Sequence, residues 1–365
     1  MADVTTRSPI QYQAGLEVAQ PDEAALTEEI VAHMAATQAA NADRHRHAHR
    51  DAHSKSHALI KGRMTVHPGL PPELAQGIFA VARDYDVVAR LSSAPGDIHS
   101  DAVPAPRGFA TKVIGVEGDR LSPELGGANQ DFLMVNFPTL AFGTIAKYKT
   151  LLALLERNAE SPEAVQRLVA AAARGVKGAV EALGGTPNAT VEGLARDHAN
   201  MLGETFHTQA AIRFGDHVAK LSLAPLGEVA TLTGQPVDPG FSTMRDAVVA
   251  HLARHGVSYE LRAQLCVDPD AMPVEDAAIL WDPDLSPHRA IATLTFAAQD
   301  AYSPARRVHG DDHLAFSPWN GVVAHRPLGG IMRIRKVAYE SSSAQRHRLN
   351  ALPRREPASL DEIPD

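Results

Sequence analysis

The chain has a single cysteine, Cys266, among 365 residues. That excludes an internal disulfide and any cage of thiolates around a metal, and it fits a reducing compartment. Residues 1–21 contain no basic stretch leading into an apolar run, and nowhere do roughly eighteen apolar residues follow one another, so neither secretion nor a membrane span is expected. Positive charge is also short. A net charge of −8 and a pI near 6.1 argue against a nucleic-acid partner, because neutralising phosphates needs clustered Lys and Arg. These absences point to a cytoplasmic protein acting on a small or apolar substrate.

Hydrophobic residues make up 44 % of the chain, enough for a substantial core. Residues 21–40 read as an acidic-first helix, with Pro21 and Asp22 suited to its start and Leu26, Ile30 and Met34 recurring at helical spacing, which makes 1–40 an N-terminal helical arm. The following text, NADRHRHAHRDAHSKSH, holds five of the eighteen histidines and is too polar for a core element; it reads as a loop lining something. From Arg63 to Asn136 short apolar segments bounded by Pro and Gly, namely VVARLSS, GFATKVIGV and DFLMVNF, signal strands joined by turns.

A helix is predicted over 161–183, opened by Ser161 and Pro162 and stopped by Gly184 and Gly185. Strand text returns in AAIRFGDHVAKLSLAP, in YELRAQLCV with Tyr259, Leu261, Ala263 and Leu265 alternating, and in AIATLTFAA with Ala292, Leu294 and Phe296 alternating; the helix STMRDAVVAHLARHG separates the first two. IMRIRKVAY alternates too, with Arg333 and Arg335 at its polar positions, and residues 351–365 read as a disordered tail. With no repeat and no linker, residues 41–350 form one α+β domain built on a large antiparallel sheet.

Four separated segments share a chemistry. In RDAHSK, Arg50 precedes His53 by three residues; in VVARLSS, Arg90 stands two before Ser92. RGFATK is followed by DFLMVNFP, which places Asn136 ahead of a proline, and in RKVAYESSSAQRHR, Arg335 lies four residues before Tyr339 and Arg346 seven after it. In this order the chain resembles the haem catalase family, whose motifs include a distal His after an Arg, an R-x-S strand, an RGFA strand, an Asn before a Pro, and R-x-x-x-Y. FSPWN at 316–320 is similar to a segment upstream of that family's ligand tyrosine, and LGGIMRIRKVAY resembles its glycine-then-arginine entry into the haem-binding helix. The resemblance runs from about residue 44 to 350, is poor over 143–205, and lacks the family's long extensions, so it is nearest to the small catalase-related peroxidases.

The resemblance implies an antiparallel β-barrel core with surrounding helices, binding haem b. It implies that Tyr339 ligates the iron with Arg335 against the phenolate oxygen, that Arg50, Arg90 and Arg346 hold the propionates, and that His53, oriented by Ser92 and partnered by Asn136, acts on the peroxide. Arg348 is a rival for Arg346, and His57 for His53. The residue types suit these tasks. A tyrosine, with its usual pKa near 10, ligates well only as phenolate, which a ferric ion and a guanidinium both favour. A neutral imidazole can take a proton from one peroxide oxygen and return it to the other, an amide can donate without competing for that proton, and Arg forks match carboxylates. The expected activity is peroxidation of a small organic electron donor by peroxide, with weak or absent catalase turnover, and a homodimer is one assembly open to it. Rearrangement of fatty-acid hydroperoxides and non-catalytic haem binding are the alternatives on the same site, and the H-x-H-x-H run at His45, His47 and His49 leaves open a zinc or nickel module.

Overall fold

The computed structural model describes residues 7–94, 96–140, 143–147 and 198–365, so the helix expected at 161–183 lies outside the described residues. Among the described residues nine strands follow in chain order: β1 (Lys55–Val66), β2 (Asp84–Ser93), β3 (Arg107–Val113), β4 (Gln130–Val135), β5 (Phe206–His207), β6 (Ile212–Phe214), β7 (His217–Leu226), β8 (Val257–Leu265) and β9 (Arg289–Phe296). Their order is β5-β4-β3-β2-β1-β9-β8-β7-β6, and an additional β5–β7 pairing closes eight of them into an antiparallel barrel with β6 appended to β7.

Strand alternation explains the barrel. Val87, Ala89 and Leu91 of β2, Phe109 and Val113 of β3, Phe132 and Met134 of β4, Tyr259, Leu261, Ala263 and Leu265 of β8, and Ala292, Leu294 and Phe296 of β9 all point into one buried interior. The phased residues read from the last two strands are therefore the inner face. β1 begins earlier than the apolar text suggested, at Lys55, and its first six residues, polar ones included, are all buried.

Four described helices surround the barrel: α1 (Glu23–His45), α2 (Thr243–Leu252), α3 (Pro304–Val308) and α4 (Gly330–Asn350). The boundary drawn at residue 40 falls inside α1, which continues to His45 because Gln38 and Asn41 are buried and hydrogen-bonded rather than solvated. IMRIRKVAY is the first part of α4 and not a strand. Ile331, Ile334 and Ala338 face inward at helical spacing, Ile334 and Ala338 pack on Ile30 of α1, and Arg333 is ion-paired with Glu17, Glu23 and Glu275.

Residues 351–365 are not a loose tail. Ile363 is 2 % exposed against Leu59, Val88, Leu314 and Phe316, and Glu356 lies 2.8 Å from the buried Lys112. Composition alone marked this stretch as solvated; it is held because it supplies a counter-ion to a lysine that has no water. No helix among the described residues is long and apolar enough to cross a membrane.

Candidate active site

Alternation that sends Leu91 inward sends Arg90 and Ser92 outward, and the register places Arg90 beside Ala110 and Leu133, and Ser92 beside Gly108 and Val135. These two rows form one wall of a cavity that is partly open to solvent. Arg335, Tyr339, Ser342, Ser343 and Arg346, which share one face of α4, form another wall.

The segment between α1 and β1 folds over the first wall and ends in His53, whose backbone lies in the left-handed region at φ 51°. Its Nδ1 is 3.3 Å from Ser92 Oγ. In the tautomer where Nδ1–H donates to the hydroxyl, Nε2 keeps its lone pair, and among the described residues no protein group hydrogen-bonds to it. The imidazole rests on Gly108, where a Cβ would come within 2.8 Å of Nδ1 and 3.0 Å of Ser92 Oγ. Burial, reinforced by Arg90 and Arg335, pushes the His53 pKa down to about 4, so the ring is neutral near pH 7. On α4, Arg335 Nη2 donates to Tyr339 Oη at 2.7 Å, and its guanidinium lies 5.0 Å from the phenol ring centre.

Three further guanidiniums converge beside these walls on a π-turn, His309–His313. Arg50 donates to the carbonyls of Gly310 and Leu314 at 2.7 and 2.8 Å, Arg346 to those of Asp311 and Leu314, and Arg90 to Asp311 Oδ1 at 3.1 Å as well as to the carbonyl of His53 at 2.9 Å. Among the described residues Asp311 is the only carboxylate ion-paired with any of the three, while Asp312 acts on Arg50 and Arg346 from farther off, so the guanidiniums outnumber the carboxylates that face them. The strain of that surplus is visible: burial and then the neighbouring arginines drive Arg50 well below its ordinary range and push Arg346 down to about 10. A ligand with two carboxylates would neutralise the cluster, and a phenol backed by a guanidinium is a suitable anionic donor for iron. The residues present therefore fit haem b.

The alternatives separate clearly. His57 is fully buried against Ser93 Oγ at 2.7 Å and is absent from the cavity; Arg348 is exposed, whereas Arg346 is 2 % exposed and within the cluster. His45 and His47 are engaged by Asp97 at 2.6 Å and Asp312 at 2.7 Å, and among the described residues no group of His, Cys, Asp and Glu could hold a metal.

Asn136 departs from expectation. Its side chain accepts from Arg107 N at 2.9 Å and donates to Glu204 Oε2 at 2.7 Å, and it does not line the cavity. The reason is parity: Leu133 and Val135 face the cavity, so the next residue turns away. Conversely, Asp311, Asp51 and Gln209 belong to the site and were not singled out from sequence. Asp51 stood in plain view between Arg50 and His53; nothing local marks Asp311 or Gln209.

No family model matches the sequence, and no curated protein sequence matches it. Solved structures do resemble the fold. A fungal catalase aligns with a TM-score of 0.58 at 15 % identity over 95 % of this chain and 66 % of its own. Catalase A from Saccharomyces cerevisiae gives 0.57 at 15 % over 96 % and 70 %, and a bacterial catalase 0.58 at 13 % over 94 % and 64 %. The chain thus spans about two thirds of the length of the catalases it resembles. Its barrel, with the helices around it, is the catalase fold.

Proposed function

We propose that this chain is a haem-dependent oxidoreductase that reduces peroxide at the expense of a small organic donor. The observation that carries the reading is one cavity lined by a neutral imidazole seated by Ser92 and Gly108, by the Tyr339–Arg335 pair, and by an arginine cluster with Asp311 as its ion-paired carboxylate. Tyr339 would hold the iron, and Arg50, Arg90 and Arg346 the propionates. Bound haem supplies the redox-active centre at which the peroxide O–O bond is cleaved. His53 accepts the proton from one peroxide oxygen and returns it to the departing one, which leaves as water from hydrogen peroxide or as the alcohol from an organic hydroperoxide, rather than as an anion. The donor contributes two electrons and two protons per peroxide, giving two waters from hydrogen peroxide or water and an alcohol from an organic hydroperoxide.

The Asn136 amide, expected beside His53, donates to Glu204 instead, which favours turnover with a separate reductant over dismutation of a second peroxide. Ala110, Leu133, Val135 and Phe316 line an apolar stretch that suits organic hydroperoxides as well. The test is an absorption spectrum after haem is added to the purified chain, followed by oxygen evolution and dye oxidation with hydrogen peroxide. We expect a Soret band, dye oxidation and little oxygen. No Soret band sinks the reading. His53→Ala is expected to retain the band and lose peroxide consumption.

A further inference from the structure

A half-buried run of hydrogen bonds joins the two walls of the cavity. Ser342 Oγ, on α4, donates to Asp51 Oδ1 in the loop that carries His53. Gln38 Nε2, from α1, lies 3.3 Å from both Ser342 Oγ and its carbonyl and 2.7 Å from the carbonyl of His49. Asp51 stands two residues before His53 and Ser342 three after Tyr339, so the run reaches each wall next to a functional side chain. The loop has little room to retreat. A Cβ at Gly96 would fall 1.9 Å from the Asp51 carbonyl, and the Gly96 carbonyl is itself held by Asn41 Nδ2 at 3.0 Å.

A carboxyl group is a costly way to fill such a place. Burial raises the Asp51 pKa above its ordinary value despite the offsetting bond from Ser342, and an apolar side chain would occupy the same space without that cost. What the carboxyl adds is a directed bond across the cavity.

We propose that Asp51 is a positioning residue: through Ser342 and Gln38 it sets the separation of His53 and Tyr339. This rests on the proposed function for its consequence, though not for its structure. Asp51 acts through His53, and a shift of that ring by about 1 Å is enough to cost on the order of a hundredfold in rate.

The test uses the full chain as Asp51→Ala, Asp51→Asn, Ser342→Ala and the double alanine variant. In the haem-free protein, amide exchange of residues 49–54 is expected to rise roughly tenfold in Asp51→Ala and in Ser342→Ala, as for loss of a hydrogen bond to a charged group. Asp51→Asn, which keeps an acceptor oxygen, is expected to stay near the parent, and the double variant to be no worse than either single one. In the haem-loaded protein both alanine variants are expected to lower kcat while keeping the parent absorption spectrum. Unchanged exchange in both single variants, or effects that add in the double, overturns the proposal. If Asp51→Ala does not fold, Ser342→Ala tests the same bond from the helix side. A chain that binds no haem but shows the exchange response keeps the link and loses both the function and the positioning role. One that binds haem without the response keeps the function and loses the link.

Discussion

Gly108→Ala probes the seat of His53 with a single methyl group. The added Cβ would lie 2.8 Å from His53 Nδ1, 3.0 Å from Cε1 and 3.0 Å from Ser92 Oγ, against ordinary contact from 3.4 Å, so the ring must move by roughly 0.6 Å or the Ser92 hydroxyl must swing away. Either response weakens the 3.3 Å approach that holds the imidazole in register. Displacements of this size cost one to two orders of magnitude when a proton must pass between aligned atoms, so peroxide consumption is expected to fall about 10- to 100-fold. Tyr339, Arg335 and the arginine cluster are untouched, so haem affinity and the Soret position are expected to hold. Stopped-flow peroxide consumption, with haem titration on the same preparation, reads both quantities. A variant with the parent rate refutes the placement of His53; one that loses haem instead shows that Gly108 supports the cofactor wall and not the imidazole.

Tyr339→Phe removes the phenol oxygen that Arg335 reaches at 2.7 Å, and the ferric spectrum is expected to change with a loss of haem affinity; an unaltered spectrum moves the ligand elsewhere. Iron-free protoporphyrin IX is expected to bind more tightly than its dimethyl ester by roughly 1.5–3 kcal/mol for each carboxylate paired with an arginine, read by fluorescence quenching; equal affinities remove the cluster from the site. His325 is 1 % exposed, accepts from Ile78 N at 3.0 Å, and has its pKa pushed down to about 4 by burial. Its neutral form is favoured by folding, so its stabilisation is complete above about pH 6.5 and is lost as pH falls toward 4, by about 3 kcal/mol. His325→Gln, which keeps an acceptor, is expected to lower the pH slope of denaturant stability in that window by one proton; an unchanged slope refutes it. Lys112→Met strands Asp131 and Glu356, which lie 2.7 and 2.8 Å from the ammonium, and urea melts are expected to show a loss of 3–5 kcal/mol, partly restored by adding Asp131→Asn. A neutral result means that neither carboxyl is charged in the folded state.

What could be read from the sequence follows the range over which each pattern acts. Arg90 and Ser92 share a strand face because they are two apart, and Arg335 meets Tyr339 because they are four apart on a helix, so both pairs are visible before folding. Barrel phase was visible for the same reason in Tyr259 through Leu265. Asn136 failed because parity counts from the strand that precedes it, and that phase is fixed by which neighbours the barrel buries. Asp311 was invisible because its partners are Arg50 and Arg90, more than two hundred residues away in sequence. The strand-like alternation of IMRIRKVAY gave way to helix once Ile334 and Ala338 had α1 to pack against, and the acidic, proline-containing end of the chain gave no sign of Lys112 waiting for it.

Under the proposed function, the arginine cluster would make the cofactor part of the folding equilibrium. Without a dianion, Asp311 and Asp312 only partly offset the repulsion among Arg50, Arg90 and Arg346, which works against the native state. Any ligand that neutralises them adds stability in proportion to its occupancy, about 2.7 kcal/mol at one hundred times its dissociation constant. That difference is large beside the total stability of a protein, so quality control would distinguish loaded from empty chains: the empty ones open more often, meet proteases sooner, and set the abundance of the protein by the supply of porphyrin.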